Sequence, residues 1–302
     1  MQVACHILAY NVDLFIDHVL QNCASHVDKI YITYSARPWG YTPSSRETHT
    51  NPTTLVRVKT AIMRLRQETG CNVPIEIIEG DWLTEEDTRN TVLHKAHFEG
   101  FDWLIIQDAD EFYTEASWQM LLRTLLSNPS ADCIRTSWYL FWKSSQLVIQ
   151  HWSGSIKDNN VGFALRCLDT VQFVRARWPN AENVRLVDAS CFHYGYVMSD
   201  VQMREKVTTW GHSHEFNAEA WLRTKWDNWT VSTKNLNPRH PWLWQRAIRF
   251  PNEQPPFAAH FDLPVDLDRV PRGRDDLRNA VWDMRANGWR VLKNTKRLLL
   301  NF

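Results

Sequence analysis

The chain has 302 residues and no formal net charge, because 34 basic side chains balance 34 acidic ones. Its overall field therefore indicates neither a strongly acidic nor a strongly basic partner. Hydrophobic residues make up 44% of the sequence and charged residues 23%, a composition typical of a globular protein with a buried core. No apolar run approaches the ~20 residues that a membrane-spanning helix requires, so we expect no integral membrane segment.

The cysteines and the N-terminal residues bear on the cellular compartment. The six cysteines are scattered, without the paired spacing of a zinc site, and we interpret them as reduced thiols. The apolar run Val3–Ala9 lacks the basic residues that begin a secretory signal. Together these features predict a cytoplasmic protein, in the host cytoplasm if the protein is viral.

Strand and helix patterns alternate over the first 113 residues. Apolar positions at helical spacing predict one helix capped by Asn11, a second that ends at Gly70 and a third that begins in the capping box Thr84–Asp87. The predicted strands are Val3–Leu8, Lys29–Thr33, Pro74–Glu79 and Trp103–Gln107. Repeated βα units predict an α/β fold, in which a parallel sheet carries helices on both faces. Ligands of such sheets bind outside the carboxyl ends of the strands.

The second half of the chain is less regular. The pattern predicts a helix around Trp118–Leu125, a helix capped by Ser199 that ends at Gly211, and a basic helix over Asp275–Asn301. The predicted strands are Ile134–Lys143, Gly162–Cys167, Val171–Arg175 and Val184–Phe192. We predict a catalytic domain over residues 1–215, with a ligand-binding half (1–115) and an acceptor half (116–215). A helical, Trp-rich extension follows over residues 216–302.

An acidic cluster follows the fourth predicted strand. Asp108 and Asp110 are two residues apart, so on an extended segment both carboxylates face one point. Two hard oxygen donors suit Mg²⁺ or Mn²⁺, which keep further positions for water and phosphate. A solvated turn at a strand end is the simpler alternative. The position of the pair, at the carboxyl end of an apolar strand in a parallel sheet, favours the metal site.

The segment Leu-Ile-Ile-Gln-Asp-Ala-Asp-Glu-Phe (104–112) resembles the DxD segment of GT-A glycosyltransferases, particularly the family 2-like group. Leu8–Asn11 is similar to the opening of that family, and Thr88–Asn90 is similar to its Arg-Asn pair. The resemblance implies a GT-A, Rossmann-like mixed sheet flanked by helices. It also implies a nucleotide-sugar donor, with a UDP-sugar favoured, a divalent metal on the DxD motif, and transfer of the sugar to an acceptor hydroxyl.

The resemblance assigns roles to individual residues. The base and ribose of the donor are expected near Ala9, Tyr10, Asn11 and Asp108, and the donor phosphates near Arg89 and Asn90. Mn²⁺ or Mg²⁺ is expected on Asp108 and Asp110. A surface ion pair with Glu85, four residues earlier, explains Arg89 equally well.

A histidine and a lysine of the second half are further candidates. His193 follows a predicted strand, and neutral imidazole can complete a metal shell. The alternatives are a core histidine at this position, or His212 or His214 as the ligand. Lys206 lies on the helix that follows His193 and could neutralise the diphosphate charge. Trp39 lies in a turn-rich loop over residues 37–52, which could cover the nucleoside or the acceptor.

The catalytic base and the acceptor are less specified. An inverting transferase needs a carboxylate to deprotonate the acceptor, and we favour Asp188, then Asp200, over Asp158, Asp169 and Glu182. The sequence does not decide between inversion and retention.

Residues 270–302 carry eight basic and three acidic side chains, and a Trp-rich segment over residues 210–244 precedes them. Indole rings stack on sugars and on bases. A saccharide or glycolipid acceptor is the main hypothesis, and a hydroxymethylated base in DNA, as in viral DNA glycosylation, is the minority one. A metal-dependent phosphotransferase or hydrolase, or a non-catalytic nucleic-acid-binding module, is the alternative.

Overall fold

The computed structural model describes residues 1–40, 46–47, 51, 53–210, 212–269, 277–284 and 288. The chain forms two compact units. Unit 1 comprises Met1–Trp138, Asn159–His193 and Thr209–Gly211, and unit 2 comprises Tyr139–Asp158, Tyr194–Thr208 and His212–Phe302. The predicted division at residue 215 does not coincide with these units, because residues 139–158 and 194–208 belong to unit 2.

Twelve strands, six α-helices and one further helical segment follow one another along the described chain. The strands are β1 (Val3–Ala9), β2 (Lys29–Ser35), β3 (Ile75–Gly80), β4 (Trp103–Ile106), β5 (Glu111–Phe112), β6 (Cys133–Trp142), β7 (Ser144–His151), β8 (Lys157–Arg166), β9 (Phe173–Arg175), β10 (Trp178–Pro179), β11 (Val184–Tyr196) and β12 (Trp244–Arg249). The helices are α1 (Ile16–Cys23), α2 (Thr54–Thr69), α3 (Glu85–Phe98), α4 (Glu115–Ser127), α5 (Asp200–Thr209) and α6 (Ala218–Trp221). Residues 277–284 are also helical.

The sheet of unit 1 begins with four parallel strands in the order β3-β2-β1-β4. Strand β8 then pairs with β4 in the antiparallel direction, so the sheet is mixed, as expected. Helix α3 packs on one face, where Val92 and Leu93 meet Leu104 and Ile106. On the other face Cys5 of β1 neighbours Cys23 of α1. The prediction of an α/β sheet with helices on both faces is confirmed.

Local signals in the sequence account for several helix ends. Thr84 caps α3 by accepting a hydrogen bond from the backbone N–H of Asp87 at 3.1 Å, as predicted. Helix α2 ends at Gly70, whose φ of 67° is left-handed. The prediction that Asn11 caps α1 is wrong. Helix α1 begins later, at Ile16, and Asn11 is itself left-handed with a φ of 51°, a conformation that asparagine tolerates.

Unit 2 has an aromatic core. Its strands β7 and β12 pair in the antiparallel direction, and the end of β6 pairs with β7. The indole of Trp142 packs against Tyr196, Trp221 and Trp226, and Tyr196 also contacts Trp244. The helical, Trp-rich C-terminal region is therefore present. None of the helices in the described part of the chain is long and apolar enough to cross a membrane.

Candidate active site

The strand order of unit 1 locates a crevice. The chain proceeds from β1 through β2 to β3 on one side of the sheet and then returns to place β4 on the other side of β1. Such a reversal opens a crevice at the carboxyl ends of the two strands, where ligands of open α/β sheets bind. His6 and Ile106 are partners in this parallel pair. Tyr10 and Asp108, which follow the two strands, therefore lie at the predicted edge.

A small open cleft lies at the carboxyl ends of β1 and β2. Its lining residues are Leu8, Ala9, Tyr10, Thr33, Ser35, Arg37, Trp39, Trp82 and Thr88. Gly80 allows the ring of Trp82 to lie against the backbone, because a Cβ at this position would come within 2.5 Å of the indole. The backbone N–H of Gly40 donates to the carbonyl oxygen of Leu83 at 2.7 Å, which ties the segment of Trp39 to the other wall. The structure thus places Ala9 and Tyr10 together in a cleft with two indoles.

Asp108 is held by two arginines. Nη2 of Arg89 donates to both carboxylate oxygens of Asp108, at 3.0 and 3.1 Å, and Nη1 of Arg177 donates to one of them at 3.3 Å. Arg89 is only 1% exposed. It also forms the ion pair with Glu85 that was the alternative interpretation, at 2.6 Å. Arg89 therefore fixes the acidic segment to helix α3.

Arg177 was not among the residues singled out from the sequence. Its guanidinium donates to the Glu111 carboxylate and to two backbone oxygens, those of Ile106 at 3.1 Å and Gly162 at 2.7 Å. The ribbon of β9 and β10 carries it into the cluster, and Asn90 anchors this ribbon. Its side chain donates to the Phe173 carbonyl at 2.9 Å and accepts from the Phe173 N–H at 2.8 Å. The predicted phosphate ligand Asn90 thus has a structural role in this conformation.

Asp110 and His193 form the other half of the cluster. The strand pair β5–β11 places His193 opposite Glu111, and Nε2 of His193 lies 3.3 Å from Oδ1 of Asp110. The ring of Trp138 packs on His193 at a centroid distance of 4.6 Å. Both side chains of the pair are 16% exposed. Of the three predicted metal ligands, the structure thus joins Asp110 and His193, whereas Asp108 faces the arginines.

Among the described residues, no three His, Cys, Asp or Glu side chains are arranged to hold a metal ion. Asp108 does not contribute to such a group, because Arg89 and Arg177 bind the carboxylate oxygens that a cation would need. The predicted shell of Asp108, Asp110 and His193 is therefore reduced to a carboxylate and an imidazole in this conformation.

Burial and charge set the protonation of the cluster. Burial raises the pKa of Glu111 to about 7, against the opposing effect of Arg177. Burial alone would also raise the pKa of Asp108, but the guanidinium groups of Arg89 and Arg177 hold it below its ordinary value. Burial, with Arg89 nearby, lowers the pKa of His6 to about 3, so this histidine is neutral. The arginines thus keep one acid ionised, whereas Glu111 titrates near neutral pH.

Replacing Glu111 by Gln should flatten the pH dependence of stability in metal-free buffer. Glu111 holds its proton more tightly in the folded chain, so its contribution is fully present below its ordinary pKa of 4.5 and is lost as pH rises through about 7. We expect the unfolding free energy of the wild type to fall over this window, relative to the variant, by more than about 1 kcal/mol. Urea unfolding at several pH values measures it, and parallel curves for the two proteins would contradict it.

Unit 1 does not bring either predicted base, Asp188 or Asp200, to the cluster of acidic residues and His193. Asp188 is exposed on β11, and because alternate residues of a strand face opposite sides, it points away from the face of His193, five residues on. Asp200 lies in unit 2, where it accepts a hydrogen bond from the Trp226 indole at 2.7 Å. Neither geometry identifies the base.

Other predicted residues lie in unit 2. Nζ of Lys206 donates to the carbonyl oxygen of Gly195 at 2.8 Å. Nδ1 of His212, one of the alternative ligands, lies 2.7 Å from Glu215. Trp221, Trp226 and Trp229 are buried, so these indoles form core contacts instead of open platforms for sugars. Within the basic segment 270–302, residues 270–276, 285–287 and 289–302 lie outside the described residues, as does most of the loop over 41–52.

No protein-family model matches the chain, and no curated protein matches it. Among solved structures, the mannosyltransferase PcManGT from Pyrobaculum calidifontis, in complex with GDP-Man and Mn²⁺, is 12% identical with a TM-score of 0.42, over 69% of this chain and 61% of that one. TarS 1–349 from S. aureus is 10% identical with a TM-score of 0.37, over 76% of this chain and 71% of that one.

A third similar structure is 4-diphosphocytidyl-2C-methyl-D-erythritol synthase from Anaerococcus prevotii. It is 11% identical with a TM-score of 0.34, over 62% of this chain and 87% of that one. At these low TM-scores the similarities carry no weight for the site. The mixed sheet, its flanking helices and the Trp-rich C-terminal region rest on the strand pairing and packing of this chain itself.

Proposed function

We propose that this chain is a metal-dependent glycosyltransferase of the GT-A kind, which takes a sugar from a nucleotide-diphosphate donor, a UDP-sugar in the favoured case. The observation that carries the proposal is the position of Asp110 and His193. Asp110 follows β4 beside the crevice at which the strand order reverses, and His193 lies on β11, whose pairing with β5 brings it to Asp110. The aromatic cleft lies at the same edge of the sheet.

The cleft suits the nucleoside of the donor. Trp39 and Trp82 supply flat apolar surfaces on which a base can stack. Strand β1 lies between β2 and β4 in the sheet, so Tyr10, which follows β1, lies on the side of the cleft that is nearer to the acidic segment. A nucleoside bound here would direct its phosphates towards the end of β4, consistent with the expected roles of Ala9, Tyr10 and Asn11.

The chemistry of the Asp110–His193 pair fits a divalent cation. Asp110 offers a hard carboxylate oxygen and His193 an imidazole nitrogen, a mixed set that favours Mn²⁺ over Mg²⁺. Nε2 of His193 is the nitrogen that faces the carboxylate, at 3.3 Å from Oδ1 of Asp110. A cation held there would neutralise the charge that develops on the departing diphosphate.

The remaining residues position this pair. Arg89 and Arg177 hold Asp108 and keep the segment 108–111 in one conformation. We propose that Asp108 orients the segment and meets the ribose or shares the cation once donor binds, and that Arg89 acts on the phosphates through Asp108. Asp188 and Asp200 remain the proposed bases, and Lys206 the proposed counter-charge.

The acceptor is proposed to be a saccharide or glycolipid, with hydroxymethylated DNA as the minority candidate. The test is titration of the chain with UDP, GDP and CMP with and without Mn²⁺, followed by incubation of the preferred nucleotide-sugar with each acceptor. We expect Mn²⁺ to strengthen nucleotide binding at least about tenfold, or roughly 1.4 kcal/mol. If no nucleotide binds with or without Mn²⁺, the proposal is wrong. Phosphate release from the donor without sugar transfer would indicate a hydrolase.

A further inference from the structure

The helix over residues 277–284 contacts the rest of unit 2 through a polar side chain. Asp283 accepts a hydrogen bond from Nζ of Lys225 at 2.9 Å and another from the side-chain amide of Asn235 at 2.7 Å. Nζ of Lys225 also lies 5.8 Å from the ring centroid of Trp282. The Lys225 side chain is fully buried, and a buried ammonium group is costly without its partner. The ion pair therefore fixes which side of the helix faces unit 2.

The opposite side of this helix is apolar and exposed. Successive residues of an α-helix are rotated by about 100°, so Leu277, Val281 and Met284 share one side, and Asp283 lies on the other. Leu277 is 68% exposed, Met284 67% and Val281 37%. In a surface helix of a globular protein, the apolar stripe usually faces the core and the polar residues face water. Here the arrangement is reversed, and the described part of unit 2 leaves this outer stripe (Leu277, Val281 and Met284) uncovered.

Positive charge is concentrated in the same part of the sequence. Residues 270–302 carry eight basic and three acidic side chains, a net charge of +5. The other 26 of the 34 basic side chains and 31 of the 34 acidic ones belong to residues 1–269, whose net charge is −5. Arg278, beside Leu277, is exposed. A negatively charged surface therefore attracts the segment that carries the outer stripe more strongly than the rest of the chain.

We propose that the helix over residues 277–284 binds the surface of an anionic lipid bilayer. The outer stripe enters the interfacial region, and the basic side chains of the segment lie among the headgroups. Aliphatic side chains accompanied by cations are the features of helices that lie in a membrane surface, and anionic headgroups supply the opposite charge. Such binding does not depend on the proposed transferase activity, and together the two favour a glycolipid among the proposed acceptors.

Two other occupants account for only one of the two features. A second copy of the chain could cover the outer stripe, but it would bring together two segments of charge +5, which repel each other. A nucleic acid would match the charge through its phosphates. Its phosphate backbone offers no apolar surface to the aliphatic side chains, so the stripe would stay in water. A lipid surface accounts for both the charge and the stripe.

Cosedimentation of the full chain with lipid vesicles tests the proposal. Vesicles of phosphatidylcholine alone are compared with vesicles of equal parts phosphatidylcholine and phosphatidylserine. The chain should partition onto the anionic vesicles at least about tenfold more strongly, and added salt should weaken this binding because it screens the charges. Binding to neither kind of vesicle, or equal binding to both, would overturn the proposal. Either result would leave the transferase proposal standing, since nucleotide binding is measured separately.

A matched pair of double variants tests the outer stripe itself. Leu277→Gln with Met284→Gln keeps the charge and the helix propensity and should lower binding to the anionic vesicles about tenfold, because less apolar surface is buried. Met63→Gln with Leu126→Gln makes the same exchanges at exposed positions of α2 and α4 and should bind like the wild type. Thermal melting and nucleotide titration should be unchanged in both. Equal binding by the two double variants would overturn the role of the stripe.

Two further measurements on the wild type and the Leu277→Gln, Met284→Gln variant identify the other occupants. Sedimentation velocity would assign the outer stripe to a second copy if the wild type forms a dimer that the variant loses. Titration with duplex DNA at low salt would assign it to a nucleic acid if the wild type binds and the variant binds about tenfold more weakly. We expect neither difference, and either one would overturn the assignment to lipid.

Discussion

Asp110→Asn should remove metal-dependent turnover of the nucleotide-sugar, lowering the rate at least about 100-fold, or roughly 2.7 kcal/mol in activation free energy. The amide has nearly the shape of the carboxylate but no charge, so it is a poor ligand for a hard divalent cation. Asp110 is partly exposed and faces His193, so the fold should survive the change. Nucleotide release in the presence of Mn²⁺ measures the effect, and thermal melting of the same samples checks the fold.

Two further variants make this result specific. His193→Ala should raise the Mn²⁺ concentration needed for half-maximal activity at least about tenfold, since it removes the second member of the pair. Glu115→Gln makes a comparable carboxylate-to-amide change at an exposed helix position and should leave both quantities unchanged. Unaltered turnover in Asp110→Asn would remove the metal site from the proposal. If His212→Ala or His214→Ala raises the Mn²⁺ concentration for half-maximal activity and His193→Ala does not, the metal ligand is that other histidine.

Local patterns predicted the first four strands of the sheet and their helices because each pattern depends on neighbouring residues. The capping hydroxyl of Thr84 and the left-handed Gly70 are of this kind. Strand β7 was not predicted, although it contains the apolar run Leu147–Ile149. Only Lys143 separates it from β6, and this residue turns the chain with a φ of 60°, without the glycine or asparagine that usually marks a turn.

The candidate site was predictable only in part, for the same reason. Asp108 and Asp110 are adjacent to an apolar strand, so their place at the sheet edge follows from sequence. Arg177 meets Glu111 across 66 residues, and its neighbour Arg175 has the same side chain but is exposed, so nothing local distinguishes them. The orientation of Asp188 could have been predicted, because it precedes His193 by five positions, an odd number, on one strand.

Replacing Arg177 by Met should cost about 3–5 kcal/mol of unfolding free energy at pH 8. The change leaves Glu111, which is fully buried, without the cation that contacts it, and it also removes the donors to the oxygens of Ile106 and Gly162. Urea unfolding measures the loss. Arg175→Met removes the same charge from an exposed position of the same ribbon and should cost less than about 0.5 kcal/mol.

The pH dependence of this loss distinguishes a missing counter-charge from missing packing. Without Arg177 the pKa of Glu111 should rise further, because burial then acts with less opposition. At pH 5 Glu111 would be protonated and its burial would cost little, so the destabilisation should be clearly smaller than at pH 8. The double variant Arg177→Met/Glu111→Gln should recover part of the stability at pH 8 and little at pH 5. A loss that is equal at both pH values, with no recovery in the double variant, would show that Arg177 stabilises unit 1 through packing and backbone contacts alone.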